Sequence, residues 1–362
     1  MNAGGERINI RTPVLEVAAD RRTGALTVFR ERESGAASDD WGSSVLGRVY
    51  AMHEDAYDVP LGVDESARLA EEQVHSVEVV AVGPLFAMLK ITKSILNAHV
   101  EQTVTVWQPP VNAVDLETMI LWHGQERVQL RQCLPSSARR EDVTYGTPFY
   151  GNNWPAVVPG SGPRNPDEMA CLDHWRDYRE LQLWIHQRRA GTALATASLH
   201  PTYHWGRDGL EAVLMRTTPS GADPRFFWEH AGRCEYAFRF RFTDPHASLA
   251  GAARMGQEMM VPIALAGPGE VALAEPNAGP LVALDGEDVI LSAVHPDPAQ
   301  DGVIVRFFEA GGAARPVTVR VPGAAALERV SLLGEPTGER ADGASMVLHV
   351  HAHEIVTLRA RF

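Results

Sequence analysis

"NAHVEQTVTVW", residues 97–107, is the stretch whose reading decides the fold. Val100, Gln102, Val104 and Val106 alternate with Glu101, Thr103 and Thr105, so the chain has one apolar side and one polar side at a period of two. That period belongs to a half-buried strand. Runs of the same kind recur as "GALTVF", "LFAMLKITKSI", "NAVDLETMILW", "ERVQLRQCL", "LQLWIHQ", "TALATASL", "GLEAVLMRTT" and "CEYAFRFRF", with Gly, Pro, Asn or Asp between most of them. Their lengths and spacing predict an all-β protein built on a large antiparallel β-sandwich.

Only two stretches read as helix. "DESARLAEE" (64–72) opens on an acidic turn, and "DPHASLAGAARMGQEMM" (244–260) offers Asp244 as N-cap with Pro245 at the first helical position. The Gly-, Pro- and Ala-rich segment 265–280 reads as a linker. Beyond it, "EDVILSAVHP", "GVIVRFFEA", "RPVTVRVPG", "LERVSLLGE", "SMVLHVHAH" and "EIVTLRARF" are short strands with tight turns, the mark of a second, smaller sandwich. The expected domains are therefore 1–265 and 280–362, with a long loop over 156–170.

Composition excludes several function classes. With 362 residues, 45% of them hydrophobic and 22% charged, the chain has ample material for a core and is not a disordered protein. A formal net charge of −13 repels phosphate backbones and anionic headgroups, which argues against nucleic-acid and membrane partners. Cys133, Cys171 and Cys234 lack metal-type spacing and read as buried thiols. "MNAGGERINIRTPVLEV" lacks the pattern of a secretion signal and no 18-residue apolar run occurs, so the cytoplasm is the expected compartment.

The candidate chemistry lies in a few short stretches. "YGTPFYGNNWP" (145–155) gathers Tyr145, Phe149, Tyr150 and Trp154 around Asn152 and Asn153. "DHWRDYRELQLW" (173–184) brings His174, Trp175, Arg176, Asp177, Tyr178, Arg179 and Glu180 together ahead of a strand. Aromatic faces suit sugar rings, Arg and Asn donors suit hydroxyls, and a His, a Tyr and an Arg suit acid–base work on sugars. Tyr145, Phe149, Tyr150, Asn152, Asn153, Trp154, His174 and Trp175 are the expected saccharide contacts, with His174, Tyr178 and Arg179 as catalytic candidates.

Metal sites are weaker readings. His349, His351 and His353 would share one face of a strand, but only Glu354 lies nearby and it falls on the other face. His200 and His204, between Pro201 and Trp205, are four apart without the helix that would make them converge. His53 and Asp55 find no third ligand in the sequence. No nucleophile elbow, phosphate loop or dinucleotide fingerprint is present.

Several collinear stretches resemble the C-terminal region of the glycoside hydrolase family 38 α-mannosidases. "RTPVLEVAADRRTGALTVFRERESG" is similar to its entry strands, and "AMHEDAYDVPLG" to its D-x-Y-D stretch. "VAVGPLFAMLKITKSILNAHVEQTVTVW" and "VDLETMILWHGQERVQLRQCLP" are similar to its following strand pairs. "YGTPFYGNNWP" stands where that family has a Y-x-x-P-F-G turn, departing from it after Phe149, and "LEAVLMRTTPS" falls at a strand end. Residues 288–336 and "HEIVTLRARF" follow its closing β-domain.

The resemblance implies a galactose-mutarotase-like sandwich followed by a small C-terminal one, and a carbohydrate context. The family's zinc ligands and nucleophilic aspartate lie on an N-terminal barrel and helical bundle, which the resemblance does not reach. It therefore assigns no catalytic residue here, and implies zinc only on such a barrel and no cofactor on these residues. Three roles remain open: a non-catalytic sandwich that works with a barrel partner or a second copy, a lyase or epimerase using Asn152 or Asn153 with His174, Tyr178 and Arg179, and a carbohydrate-binding module.

Overall fold

A computed structural model describes residues 5–32, 40–54, 63–154, 178–217, 231–261, 279–298 and 302–362. Strands dominate it, every pairing is antiparallel, and five sheets account for them. A three-stranded sheet joins β1 (Arg7–Arg11), β2 (Leu15–Asp20) and β3 (Leu26–Glu31). The six-stranded sheet runs β13 (Tyr178–Glu180), β16 (Thr202–Gly206), β17 (Gly209–Thr217), β10 (Val128–Cys133), β4 (Val49–His53) and β5 (Ala70–Glu71). The nine-stranded sheet runs β12 (Tyr150–Asn153), β11 (Val143–Thr147), β14 (Trp184–Arg189), β15 (Thr192–Ser198), β18 (Gly232–Thr243), β9 (Val114–Trp122), β8 (Ala98–Trp107), β7 (Phe86–Ile95) and β6 (Gln73–Val82).

The remaining strands form β19 (Ala283–Asp285), β22 (Arg315–Arg320), β25 (Ser345–Val350) in one sheet and β20 (Val289–Pro296), β21 (Val303–Glu309), β26 (Ile355–Arg361), β23 (Ala326–Val330), β24 (Pro336–Asp342) in another. Backbone contacts divide the chain into two compact units. Met1–Tyr145 with Asn153–Pro245 form the first, and Gly146–Asn152 with His246–Phe362 the second.

Alternation in the sequence becomes burial in the first unit. Val100, Val104 and Val106 of β8 are inaccessible to solvent and join Val49, Ala51, Leu130, Leu210 and Ala212 in a single core. Gln102, on the same face, is buried too. Its Nε2 donates to the Gly47 carbonyl at 2.8 Å and to Gln132 Oε1 at 3.1 Å, while Thr118 Oγ1 donates to that Gln132 oxygen at 2.6 Å. A polar residue on an apolar face is tolerable because its donor is satisfied. Burial of these apolar side chains, at about 25 cal/mol per Å² removed from water, is the main force holding the sheets.

The second unit has its own core. Val305, Phe307, Val317, Val319, Leu327, Val350, Leu358 and Ala360 are all fully buried.

Both helix expectations need correction. Residues 64–72 form a turn followed by β5, which pairs with Tyr50 and Ala51. The acids that would open a helix are drawn sideways instead: Glu65 onto Arg131, and Glu72 onto Lys93 and the backbone N–H of Val49. In the second stretch the helix, α1, spans only Ala250–Met260 and starts after Leu249, not at Asp244. Ser248 Oγ accepts from the Ala250 N–H at 3.3 Å and donates to Asp288, which fixes that later start.

Candidate functional site

Directly paired residues on neighbouring strands share a face of the sheet. In the six-stranded sheet, Tyr178 pairs with His204, His204 with Glu211, Glu211 with Cys133, Arg131 with Tyr50, and Gln129 with Met52. The face turned from the apolar core therefore carries Tyr178, His204, Glu211, Gln129, Arg131, Cys133, Tyr50 and Met52 in one array. All of them are buried. A bulge between Leu130 and Arg131 shifts the pairing of β10 with β17, which sets Arg131 against Val213.

Arg131, 1% exposed, is the centre of this array. Its guanidinium forks onto Glu65, with Nη2 to Oε1 at 2.6 Å and Nη1 to Oε2 at 2.9 Å, the geometry that makes Arg–carboxylate pairs strong. Nη1 also lies 3.3 Å from Glu211 Oε2, Nε donates to Gln129 Oε1 at 2.5 Å, and Nη2 donates to the Tyr178 hydroxyl. Burial disfavours the Arg131 charge, but the carboxylates of Glu65 and Glu211 outweigh it and hold the guanidinium more firmly protonated than usual. Burial also pushes the Tyr178 phenol upward, partly offset by Arg131, so it is a neutral hydroxyl across the physiological range.

His204 stands between two carboxylates. Its Nδ1 is 2.9 Å from Glu211 Oε2, and its Nε2 is 3.6 Å from Glu65 Oε1. The same Nδ1 lies 3.0 Å from Arg131 Nη1, so guanidinium, carboxylate and imidazole meet at one ring nitrogen. A Cβ at residue 206 would meet the Glu211 carboxylate, which would have to shift to admit it. The constraint there is close approach, not the backbone angle.

This array opens onto a pocket of about 360 Å³ lined by Val45, Tyr50, Met52, Glu65, Ser66, Ala67, Arg68, Glu71, Arg207, Asp208 and Glu211. Arg68 closes one side, bonding Glu71 at 2.7 Å and also Asp208, with its guanidinium 4.0 Å over the Tyr50 ring. Arg207 is exposed, with no partner among the described residues. The volume lies within the range of small-molecule sites. Alternating carboxylates and guanidinia beside Tyr50 and Met52 offer acceptors, donors and an apolar face, a set suited to a polyhydroxylated ring.

The residues singled out in the sequence scatter. Tyr145 and Trp154 are interior, packed edge to face at 5.8 Å, with Trp205 also 5.8 Å from Trp154. Neither offers a free face to a ligand, because an aromatic run between glycines filled a core gap. Phe149 and Tyr150 are 42% and 50% exposed and belong to the second unit, against Phe308 and His353 respectively. Asn153 accepts from Thr144 Oγ1 at 2.9 Å, and Asn152 is exposed. Arg179 has its guanidinium 5.7 Å over the Trp154 ring and reaches the Tyr178 carbonyl, so its direction differs from that of Tyr178. His174, Trp175, Arg176, Asp177 and Cys171 lie outside the described residues.

Tyr178 thus joins a cluster that the sequence reading did not assemble. His204 was singled out only as a possible ligand, and Arg131, Gln129, Glu65 and Glu211 were not singled out. The available signal was "VQLRQC", in which Gln129 and Arg131 alternate with Val128 and Leu130: a polar face of that kind normally reads as solvated.

Metal readings also change. Of the pair His53 and Asp55, Asp55 lies outside the described residues, and Glu54 between them is buried against Arg216 and Gln129. His349 is in β25, whereas His351 and His353 follow the end of that strand, His353 with φ 59°. The three rings therefore do not form one strand face. Among the described residues no group of three or more His, Cys, Asp or Glu could hold a metal ion. Among the same residues no helix is long and apolar enough to cross a membrane. Of the thiols, Cys133 is buried, its pKa pushed up by burial, and Cys234 is half-buried.

Comparison with known proteins is consistent with this architecture. Residues 10–151 match the model of the glycosyl hydrolases family 38 C-terminal domain, and residues 288–358 match that of the family 38 C-terminal beta sandwich domain. An alpha-mannosidase from Enterococcus faecalis V583 superposes with a TM-score of 0.73 at 12% identity, over 98% of this chain and 43% of that one. A glycosyl hydrolase family 38 protein from Enterococcus faecalis gives 0.71 at 12% identity, over 99% and 45%. The chain therefore spans less than half the length of these two proteins. A galactose 1-epimerase from Lactobacillus acidophilus aligns over 66% of this chain and 95% of that one, at 10% identity and a TM-score of 0.35. None of the curated proteins matches the sequence.

Proposed function

This chain belongs to the C-terminal β-sandwich region of glycoside hydrolase family 38, and from that premise we propose that it contacts saccharide and supports glycoside hydrolysis without performing the bond cleavage itself. It is an α-mannosidase-like, carbohydrate-related protein. The observation that carries the saccharide part is the pocket over the six-stranded sheet, where Glu65 and Glu211, both held by Arg131, line the wall with Arg68, Asp208 and Tyr50. Carboxylates fixed by a buried guanidinium are ready acceptors for vicinal hydroxyls, and they need no rearrangement on binding.

In this reading, the zinc and the nucleophile of hydrolysis are supplied by a catalytic barrel, and a barrel subunit or a second copy of the chain is the partner. The chain works in the cytoplasm, away from nucleic acid and membranes, in keeping with its net charge of −13. The test is turnover of a panel of aryl glycosides, α-mannoside included, by the purified 362-residue chain with and without added zinc. We expect none on any of them, and turnover would contradict the proposal.

One observation favours a second reading, a sugar-active site of the lyase or epimerase type on the sandwich itself. His204, between Glu211 and Glu65 and beside Tyr178, is equipped to carry a proton between ligand and carboxylate. Activity on an aldose or a uronate polymer that falls at least 100-fold in Tyr178→Phe or His204→Gln would establish it. Activity unchanged in both variants would remove it.

A further inference from the structure

Glu65 and the residues it touches are unequal partners. Arg131, Tyr178 and His204 stand on β10, β13 and β16 at 1%, 8% and 4% exposure, each held from behind. Gln129 Oε1 accepts from Arg131 Nε at 2.5 Å and from the Tyr178 hydroxyl at 3.2 Å, while Gln129 Nε2 donates to the buried Glu54 at 3.2 Å. Glu211 Oε2 stands 2.9 Å from His204 Nδ1. Glu65 has no such seat: it is on a surface turn, with its side chain 35% exposed.

Two backbone bonds hang that turn from β4. The Asp64 N–H donates to the His53 carbonyl at 3.1 Å, and the Leu69 N–H to the Ala51 carbonyl at 2.8 Å. Between these anchors the Ser66 N–H closes onto the Asp64 carboxylate at 2.9 Å, and side chains reach the sheet: Glu65 on Arg131, and Arg68 on Asp208.

Where Glu65 ends, donors from three strands converge. Arg131 Nη2 and Nη1 lie 2.6 and 2.9 Å from its two oxygens, with the Tyr178 hydroxyl 3.4 Å and His204 Nε2 3.6 Å from Oε1. With the Glu65 side chain removed, these atoms line a hole shaped for a carboxylate, with the guanidinium fork at one side and hydroxyl and imidazole at the other. The strands have already ordered it, so a ligand bears little of that cost.

Exchange of one carboxylate for another is close to balanced there. An incoming carboxylate makes the bonds that Glu65 gives up, and Glu65 swings into the water that it already meets, so no charge is left buried without a partner. The same exchange at Glu211, 2% exposed, would strand a charge in the interior. The member borne by the turn is the replaceable one.

We propose that the hole between Arg131, Tyr178 and His204 is a carboxylate-binding site which Glu65 fills in the free chain, and that its ligand is a hexuronic acid. The inference rests on the saccharide reading of the pocket, because the uronate ring and hydroxyls lie where Tyr50, Met52, Arg68 and Glu211 line it. A carboxylate without a ring leaves Tyr50 and Met52 uncovered. A neutral sugar meets Glu65 where it stands; a uronate takes its place.

The experiment follows the 13C-labelled Met52 methyl while the parent chain, Glu65→Ala and Asp64→Asn are titrated with D-glucuronate, D-mannuronate, acetate and methyl α-mannoside. In the parent, Glu65 competes from beside the hole at high effective concentration, so a uronate binds Glu65→Ala tighter by about 10-fold or more. Acetate binds that variant more weakly than the uronates do, and methyl α-mannoside gains nothing. Acetate and the uronates also raise the unfolding temperature of Glu65→Ala by refilling the hole, and move that of the parent far less. Asp64→Asn takes the same charge from the neighbouring, exposed position without opening the hole, so its uronate affinity changes by no more than about 2-fold.

If Glu65→Ala does not fold, Glu65→Gln gives the same reading, since a neutral side chain competes less well for Arg131 and uronate affinity again exceeds that of the parent. Equal uronate affinity in the parent and the Glu65 variant, an equal gain in Asp64→Asn, or acetate as tight as the uronates overturns the proposal. Where it falls while Met52 still moves with methyl α-mannoside in the parent, the saccharide reading of the pocket stands. A Met52 methyl that stays fixed under every sugar, in parent and variant, removes both.

Discussion

Two buried ionic clusters in the first unit look alike in composition and differ in surroundings. In one, Lys93 Nζ lies 3.0 Å from Glu72 Oε2 with both side chains at 0% exposure, and Arg48 Nε lies 3.1 Å from Glu72 Oε1. Lys93 also donates to the Gly47 carbonyl at 3.3 Å. In the other, Arg131 and Glu211 are at 1% and 2%, yet Glu65, the strongest partner of Arg131, is at 35% and faces a pocket. The first cluster spends its charges on itself. The second holds carboxylates at an opening, where a ligand could use them. Burial alone therefore does not separate the two clusters; the placement of one member at a cavity wall does.

This contrast can be broken by substitution, beginning where the effect is largest. Glu72→Ala leaves Lys93 without its counter-ion, and burial already lowers the Lys93 pKa against the pull of Glu72. Such a loss costs about 3–5 kcal/mol, to be read as a drop in the urea unfolding free energy. A change under about 1 kcal/mol would mean that the pair is not load-carrying for the fold.

A pH series gives the next effect, from a third buried group. Burial, with Arg188 nearby, holds the His186 pKa at about 4 in the folded chain, below its ordinary 6.5. Between these values the unfolded chain binds the proton and the folded chain does not. Stability is therefore fully present above pH 6.5 and is lost as pH falls toward 4, by about 3 kcal/mol at most. His186→Gln should flatten unfolding free energy against pH over that window, and an unaltered slope would contradict the assignment.

Glu211→Gln removes a charge from the second cluster but leaves Glu65 on Arg131, so its cost should be smaller, about 2 kcal/mol in the same urea measurement. Gly206→Ala should reproduce that loss without touching a charge, because its Cβ would collide with the Glu211 carboxylate. Equal stability of Gly206→Ala and the parent would show that Glu211 can move freely. The smallest effect belongs to Asp208→Ala at the pocket rim, which should shift stability by no more than about 0.5 kcal/mol.

The strands were legible in the sequence and the cluster was not, for one physical reason. Period-two alternation in "NAHVEQTVTVW" reports which side of β8 meets the core, and Val100, Val104 and Val106 are buried there. Alternation in "VQLRQC" follows the same rule, yet all six residues are buried, because the polar face of β10 is covered by residues distant in sequence. Glu65 arrives from 66 positions away and Tyr178 from 47. No local pattern encodes those meetings.

Trp154 shows the converse. Its neighbours Asn152 and Asn153 read as a binding loop, but the indole is 1% exposed beside Tyr145 and Trp205. Aromatic content alone did not separate a core plug from a sugar platform. "DESARLAEE" failed as a helix for a related reason, since Glu65 and Glu72 make their bonds across the sheet and not along a helix.

The most direct test of saccharide contact at the pocket is methyl NMR of Met52 during titration with methyl α-mannoside, in the parent chain and in Asp208→Ala. The account predicts a saturable Met52 shift in the parent and a weaker one in the variant, at unchanged unfolding free energy. A Met52 resonance that stays fixed, or that moves identically in both proteins, would contradict it.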